Sequence, residues 1–355
     1  MKLFTLPKFL RVIYMKHVRF YQVLNDYLNY NNISIKEFAN RIGITPKHLI
    51  DILSGSSELT LPIIESISMV TGISDSYIIK MEDNAKKEEE IFKYLDENNM
   101  SITNYLNKFH YKELIEKGWI NKFTYEDNKI SVILDILKYL RVNDFNNLYK
   151  IDPNIKFKSN NNKPELLLLW LERCYKLSLE QSVKEYKNEN ISILVSYIKE
   201  CASNNKFNEE ELIKVFNENG IKLVIEDDLS SSKIRGAFKV HKNIPAIYIT
   251  RKHQRIADIY FALLHELSHC KTDFNKAKST NLVTYYDEEV ADKQALNWMV
   301  DNDYYNKIVL ENNYDILKEE KYPKCFIVYR LALDNKIKYN GKLYQEYNKL
   351  LSDIV

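Results

Sequence analysis

The chain is poor in the residues that build loops, cross-links and thiolate metal sites. It has seven glycines and seven prolines in 355 residues, so long irregular connections should be few and helices many. Its four cysteines, Cys174, Cys201, Cys270 and Cys325, include no CxxC pair. That excludes a paired-thiolate zinc site or redox motif and leaves reduced thiols as the simplest reading. Neither sign of charge dominates: 51 Lys+Arg face 49 Asp+Glu, a net charge of +2, so no global field draws the whole chain to nucleic acid or to an anionic membrane. An apolar run of about 18 residues is also missing, which excludes a membrane-spanning helix on this pattern. Met1 to Met15 is apolar with three basic residues, but no small-residue cleavage site follows. Residues 1–17 therefore read as an N-terminal extension, with Met15 an alternative start, and a cytoplasmic location is expected. What is present is ample core material, 45% hydrophobic, enough for one to three domains.

The most informative stretch is Ala262-Leu263-Leu264-His265-Glu266-Leu267-Ser268-His269, an HExxH motif inside an apolar run. On a helix His265 and His269 are at i and i+4, so both imidazoles project from one face and can bind a divalent metal, with zinc the usual occupant. Glu266 lies beside them as a candidate general base for hydrolysis. A satisfied core histidine explains one of these residues and not the trio. Cys270, turned about 100° from His269, reads as a core residue and not a ligand.

A catalytic zinc usually takes three protein ligands, and one Zn²⁺ per chain is expected. The third should come from Glu288-Glu289-Val290-Ala291-Asp292, which opens a helix whose apolar face is Ala291, Ala295, Leu296 and Met299. Glu288 and Asp292 share a second face. Glu288 is the economical ligand, and Asp292 becomes the carboxylate that orients a ligating imidazole through its other N–H. Glu289 is the rival ligand, and an acidic first turn that complements the helix dipole is the plainer alternative. Tyr285 and Tyr286, just before that helix, are candidate donors to an oxyanion.

HELSH followed by EEVADKQA resembles the ImmA/IrrE family of metallo-endopeptidases, whose pattern is an HExxH helix and then a helix of the form E-x-x-A-[DN]-x-F-A. Gly236-Ala237-Phe238 and Pro245 to Ile249 resemble the family's hairpin, and Arg255 with Tyr260-Phe261 stand where the family has an arginine before the zinc helix. Tyr322 to Leu331 resembles a C-terminal segment of HigA-like members. Gln294 and Val290 depart from the pattern at positions that are not ligands in this assignment. The resemblance implies a zinc endopeptidase that cleaves repressor proteins, with a zincin-like fold.

The N-terminal part has its own pattern. Ser34-Ile35-Lys36-Glu37 is a capping box opening a helix that ends near Gly43. Thr45 can cap a second helix, with Pro46 at its first position and Gly55 past its end. A third runs from about Leu61 to Val70, stopped by Gly72. Two short helices joined through a Gly-containing turn are a helix-turn-helix, whose second helix enters the major groove. Candidate DNA contacts are Thr45, Lys47, His48 and Asp51, with Leu49, Ile52 and Leu53 facing the core. The segment resembles the Cro/repressor type, in particular HigA-like antitoxins. Residues 1–80 hold nine Lys+Arg against six Asp+Glu. Affinity for DNA is largely a phosphate term, so a salt-sensitive, dimer-dependent grip on operator DNA is expected, with a homodimer as the working state.

The expected fold class is α+β and mostly helical: residues 18–82 an all-α helix-turn-helix domain, 83–205 a helical middle region, and 206–355 a zincin-like α+β metallopeptidase domain with a small sheet. In the middle, 88–98, 131–140, 165–175 and 194–201 read as helices. Residues 153–164, polar and bounded by prolines, read as a linker open to cleavage. Leu223–Ile225, Gly236–Val240 and Ala246–Thr250 read as strands. Joined, the halves suggest a regulator whose repression is relieved by proteolysis of a repressor, a toxin-like partner or the chain itself. The alternative is a non-enzymatic antitoxin-like repressor that binds operator DNA and a toxin, with a structural or sensory metal site.

Overall fold

The computed structural model describes residues 19–121, 129–144, 147–148, 163–279, 287–311 and 321–354. Residues 1–17, the linker positions 153–162, and Tyr285 and Tyr286 lie outside that set. The chain divides into two compact units, 1–105 and 106–355.

The first unit contains α1 (Phe20–Tyr30), α2 (Ile35–Ile42), α3 (Pro46–Leu53), α4 (Leu61–Thr71) and α5 (Asp75–Glu97), with α6 (Ile102–Lys108) across the boundary. Its helix ends follow from local chemistry. Ser34 Oγ accepts the Glu37 N–H, Thr45 Oγ1 accepts the His48 N–H at 3.2 Å, and Ser74 Oγ accepts the Tyr77 N–H. Gly43 and Gly72 end α2 and α4 at φ 74° and 73°, the left-handed region that glycine enters without penalty. The expected capping box forms by half: the Glu37 carboxylate pairs with Arg41, one turn on, instead of reaching back. Phe20, Phe38, Leu49, Ile52, Ile67 and Ile78 are among the side chains of the shared core. The stretch expected at 88–98 is the second half of α5, a single 23-residue helix that passes residue 82 without a break. It is tied back to α1 by Glu82, which accepts the Phe20 N–H at 2.6 Å and an Arg19 Nη1–H at 3.0 Å.

The second unit begins with α7 (Tyr111–Glu116), α8 (Lys129–Tyr139), α9 (Pro164–Leu179), α10 (Asn190–Ser203) and α11 (Glu209–Glu218). A three-stranded sheet follows: β1 (Lys222–Glu226), β2 (Gly236–His241) and β3 (Ile244–Thr250), in the order β1-β3-β2. β1 runs parallel to β3, and β2 is antiparallel to β3. Lys242 and Asn243, both at positive φ, make the tight hairpin turn. Beyond the sheet come α12 (Ile256–Ser279), α13 (Glu288–Met299), α14 (Asn302–Glu311), α15 (Lys324–Leu333) and α16 (Lys342–Tyr347). The sheet is covered on both faces. Leu223, Ile225, Phe238, Ile247 and Ile249 join the core built with α10 and α12. On the other face Tyr248 meets Trp170 of α9 edge to face, 6.3 Å between ring centres. Ile191 to Ala202, expected in the middle region, thus share one core with the sheet. The four cysteines are buried and free, and burial pushes the Cys270 thiol up to about 12. Among the described residues no helix is long and apolar enough to cross a membrane.

The N-terminus of α12 is capped by a distant segment. The Ile256 N–H donates to the Lys349 carbonyl at 3.1 Å, and the Ala257 N–H to Asn348 Oδ1 at 2.9 Å. Two of the orphan donors that open every helix are satisfied in this way. Asn348 is fully buried, and its Nδ2 donates to Asp258, whose carboxyl burial pushes up. Arg255 donates to the Asn348 carbonyl. Asn348→Ala leaves a buried N–H and carboxyl without these partners and is expected to destabilise the protein by about 1–3 kcal/mol. Urea unfolding of the full chain measures this.

Candidate metal centre

The N-terminal half of α12 is buried nearly all round: Tyr260, Leu263, Leu264, Leu267 and Ser268 are inside. The i, i+4 spacing then puts His265 and His269 one above the other beneath α13. Their Nε2 atoms are 3.1 Å apart. Glu288, in the first turn of α13, brings Oε2 to 3.1 Å from the first and 3.5 Å from the second. Ligands bound at ~2.0–2.1 Å to a tetrahedral ion lie ~3.3 Å from one another, so the three atoms have ligand spacing. Glu289, the rival, points away and pairs with Lys293.

The second ring nitrogens are also engaged. His265 Nδ1 is 2.7 Å from Asp292 Oδ1, and His269 Nδ1 is 3.1 Å from Asp273 Oδ2. Each imidazole can donate Nδ1–H to a carboxylate and turn the Nε2 lone pair inward, the tautomer that binds metal. Glu266 is buried beside them. Its Oε1 would sit 2.7 Å from a Cβ built on Gly236, so a side chain there would push the carboxylate aside.

α13 is held at both ends. Asp287 Oδ1 accepts the Val290 N–H at 3.0 Å. The buried Arg330 donates to the carbonyls of Leu296 and Val300, at the other end of the helix, and to Asn302. Glu288 and Asp292 thus stand on a helix whose ends are fixed, although both side chains are half exposed.

The electrostatics favour positive charge at this site. Four carboxylates, Glu266, Asp273, Glu288 and Asp292, surround two imidazoles. Burial disfavours charge on His265, but hydrogen bonds to Asp292 and Glu288 outweigh it and raise the imidazole to about 10. The protonated imidazole then donates to both carboxylates. Two imidazoles and a carboxylate also suit iron or manganese, and the HExxH geometry with its neighbouring general base favours zinc.

The sequence-derived residues His265, Glu266, His269, Glu288 and Asp292 come together here. Asp273, Gly236, Arg330 and Asn348 were not anticipated. Asp273 had a visible signal, since His265, His269 and Asp273 form an i, i+4, i+8 ladder. The others act through tertiary contacts that no local pattern announces. In the first unit, Thr45, Lys47 and His48 are exposed on or beside α3, as is Ile50, while Asp51 is half buried and its carbonyl accepts from Ser54, Ser56 and Ser57.

Residues 26–82 match the helix-turn-helix family. No curated protein and no solved structure matches the chain. The first unit is therefore a helix-turn-helix DNA-binding module of a transcriptional regulator.

Two outcomes follow. A cation must displace the His265 proton, so between roughly pH 7 and 8.5 zinc affinity rises about tenfold per unit. Calorimetry in buffers of differing ionisation heat should register about one proton released. In the metal-free protein the sign is opposite. The stability gained from protonated His265 is complete below the ordinary value of 6.5 and fades as pH rises through about 10. On the DNA side, Lys47→Ala should weaken binding uniformly across sequences and reduce the salt slope by about 1, read by fluorescence anisotropy at several salt concentrations.

Proposed function

We propose that this DNA-binding regulator carries a zinc-dependent endopeptidase in its second unit, which relieves repression by cleaving a repressor, a toxin-like partner or the chain itself. The observation that carries the reading is the convergence of His265 Nε2, His269 Nε2 and Glu288 Oε2 at 3.1–3.5 Å with Glu266 buried alongside. A purely structural site requires the first three and gives Glu266 no task.

The roles follow from position. His265, His269 and Glu288 would hold Zn²⁺, one per chain. When bound, the ion supplies Lewis-acid polarisation of a carbonyl and acidifies water. Glu266 takes the proton from the attacking water and passes it to the leaving amine. Gly236 gives its carboxylate room at the edge of the sheet, and Asp292 holds His265 in the tautomer that donates from Nδ1. Edge strand β2 can align an extended peptide by main-chain hydrogen bonds. Tyr285 and Tyr286 remain candidate donors to the oxyanion. On the DNA side the modest charge of the first unit favours action as a homodimer on a two-fold operator.

The non-enzymatic alternative, an antitoxin-like repressor that binds operator DNA and a toxin, uses the same metal ligands and leaves Glu266 idle. Glu266→Gln separates the two. On the peptidase reading it keeps zinc content and operator binding and lowers cleavage by at least about 100-fold. Metal analysis, anisotropy and mass spectrometry of the chain and co-purified proteins after incubation with zinc give the three readouts. Unimpaired release of repression in the variant would sink the peptidase reading.

A further inference from the structure

Asp273 occupies an unfavourable place for an acid. It is in the body of α12, and only 6% of its side chain is exposed. Aspartate is a poor helix former, and a desolvated carboxylate is costly unless it is paired. Lys276 lies 3.3 Å from Oδ1, but 65% of the lysine side chain is exposed, so this i, i+3 pair returns little. The Thr272 hydroxyl is 3.0 Å from both Asp273 Oδ2 and the Ser268 carbonyl, one proton between two acceptors. The remaining partner is His269 Nδ1 at 3.1 Å from Oδ2, itself 3% exposed.

We propose that Asp273 is the positioning residue for His269. By accepting the Nδ1–H, it fixes the tautomer whose Nε2 lone pair faces His265 and Glu288. The proposal rests on the metal-binding reading above. It assigns unlike supports to the two imidazoles. His265 is oriented from the neighbouring helix by Asp292, whose side chain is 53% exposed. His269 is oriented from within its own helix by a buried carboxylate. One ligand of the pair is therefore set by α12 alone, before α13 contributes Glu288.

The test uses the full-length chain and Zn²⁺ itself, titrated in competition with a chromogenic chelator. Asp273→Asn preserves size and a carbonyl acceptor but removes the charge, and its amide can turn to present a donor. The expected result is a zinc Kd raised about 10–100-fold, with the unfolding midpoint of the metal-free protein little changed. Wild-type affinity in that variant overturns the proposal and leaves the metal site standing. Failure of the wild type to bind zinc overturns the metal reading itself, and the proposal with it. A second measurement needs no variant: long-range ¹⁵N–¹H correlation of histidine-labelled, metal-free wild type should show His269 protonated at Nδ1 and bare at Nε2. The opposite tautomer overturns the proposal even if Asp273→Asn fails to fold.

Discussion

Two imidazole nitrogens 3.1 Å apart, each turned toward the other, are the constraint on which the second unit depends. Two lone pairs at that distance repel unless a proton or a cation lies between them. In the metal-free protein the carboxylates of Asp292 and Glu288 hold the His265 imidazole protonated. Around the pair, specific contacts hold the elements that carry it. Asn348 and Lys349 cap the start of α12, Arg330 and Asp287 hold the ends of α13, and β2 closes on Glu266 at a glycine. Three of the groups involved, Asn348, Arg330 and Glu266, are buried and must be satisfied to be tolerated. The polar content of this core is therefore concentrated where the geometry has to be exact to a few tenths of an ångström.

Where pattern and period determined the outcome, reading the chain succeeded. The caps at Ser34 and Thr45 and the left-handed glycines at 43 and 72 act within a turn of themselves, so their effect was visible in the sequence. The strands around Leu223, Phe238 and Ile247 announced themselves by β-branched and aromatic runs. The His265–Glu266–His269 trio needed only helical geometry. The misses come from competition for a partner and from masked periodicity. Glu37 was expected to reach back to its own cap, but Arg41 lies one turn away and offers a charge. The stretch at 88–98 was read separately because its charged face hides the periodicity that joins it to Asp75–Lys86 in one helix.

The two units solve unlike problems with like means. In the first, apolar side chains from α1 to α5 fill a small core, and the polar work is done at helix ends, leaving Lys47 and His48 on an exposed face. Such a face suits a partner read by hydrogen bonds and phosphate charge, and it tolerates weak individual contacts because DNA offers many phosphates. In the second unit, one concentrated site must be built to tight tolerance.

The four carboxylates around the histidines show how one residue type takes several tasks. Asp273 and Glu266 are both buried, but Asp273 has an imidazole N–H as its partner and so spends its charge on orientation. Glu266 lies against the backbone of β2, beside the ligands and not among them, which is where a proton acceptor is useful. Glu288 and Asp292 are half exposed and come from α13, one helical turn apart, so that one rigid-body placement of that helix brings a ligand to both Nε2 atoms and an acceptor to His265 Nδ1. Environment separates what composition does not. In the proposed reading this separation is the reason the site can hold a cation tightly with three atoms and still keep one buried carboxylate for proton transfer: the orienting charges sit behind the ligands, and the acceptor sits beside them.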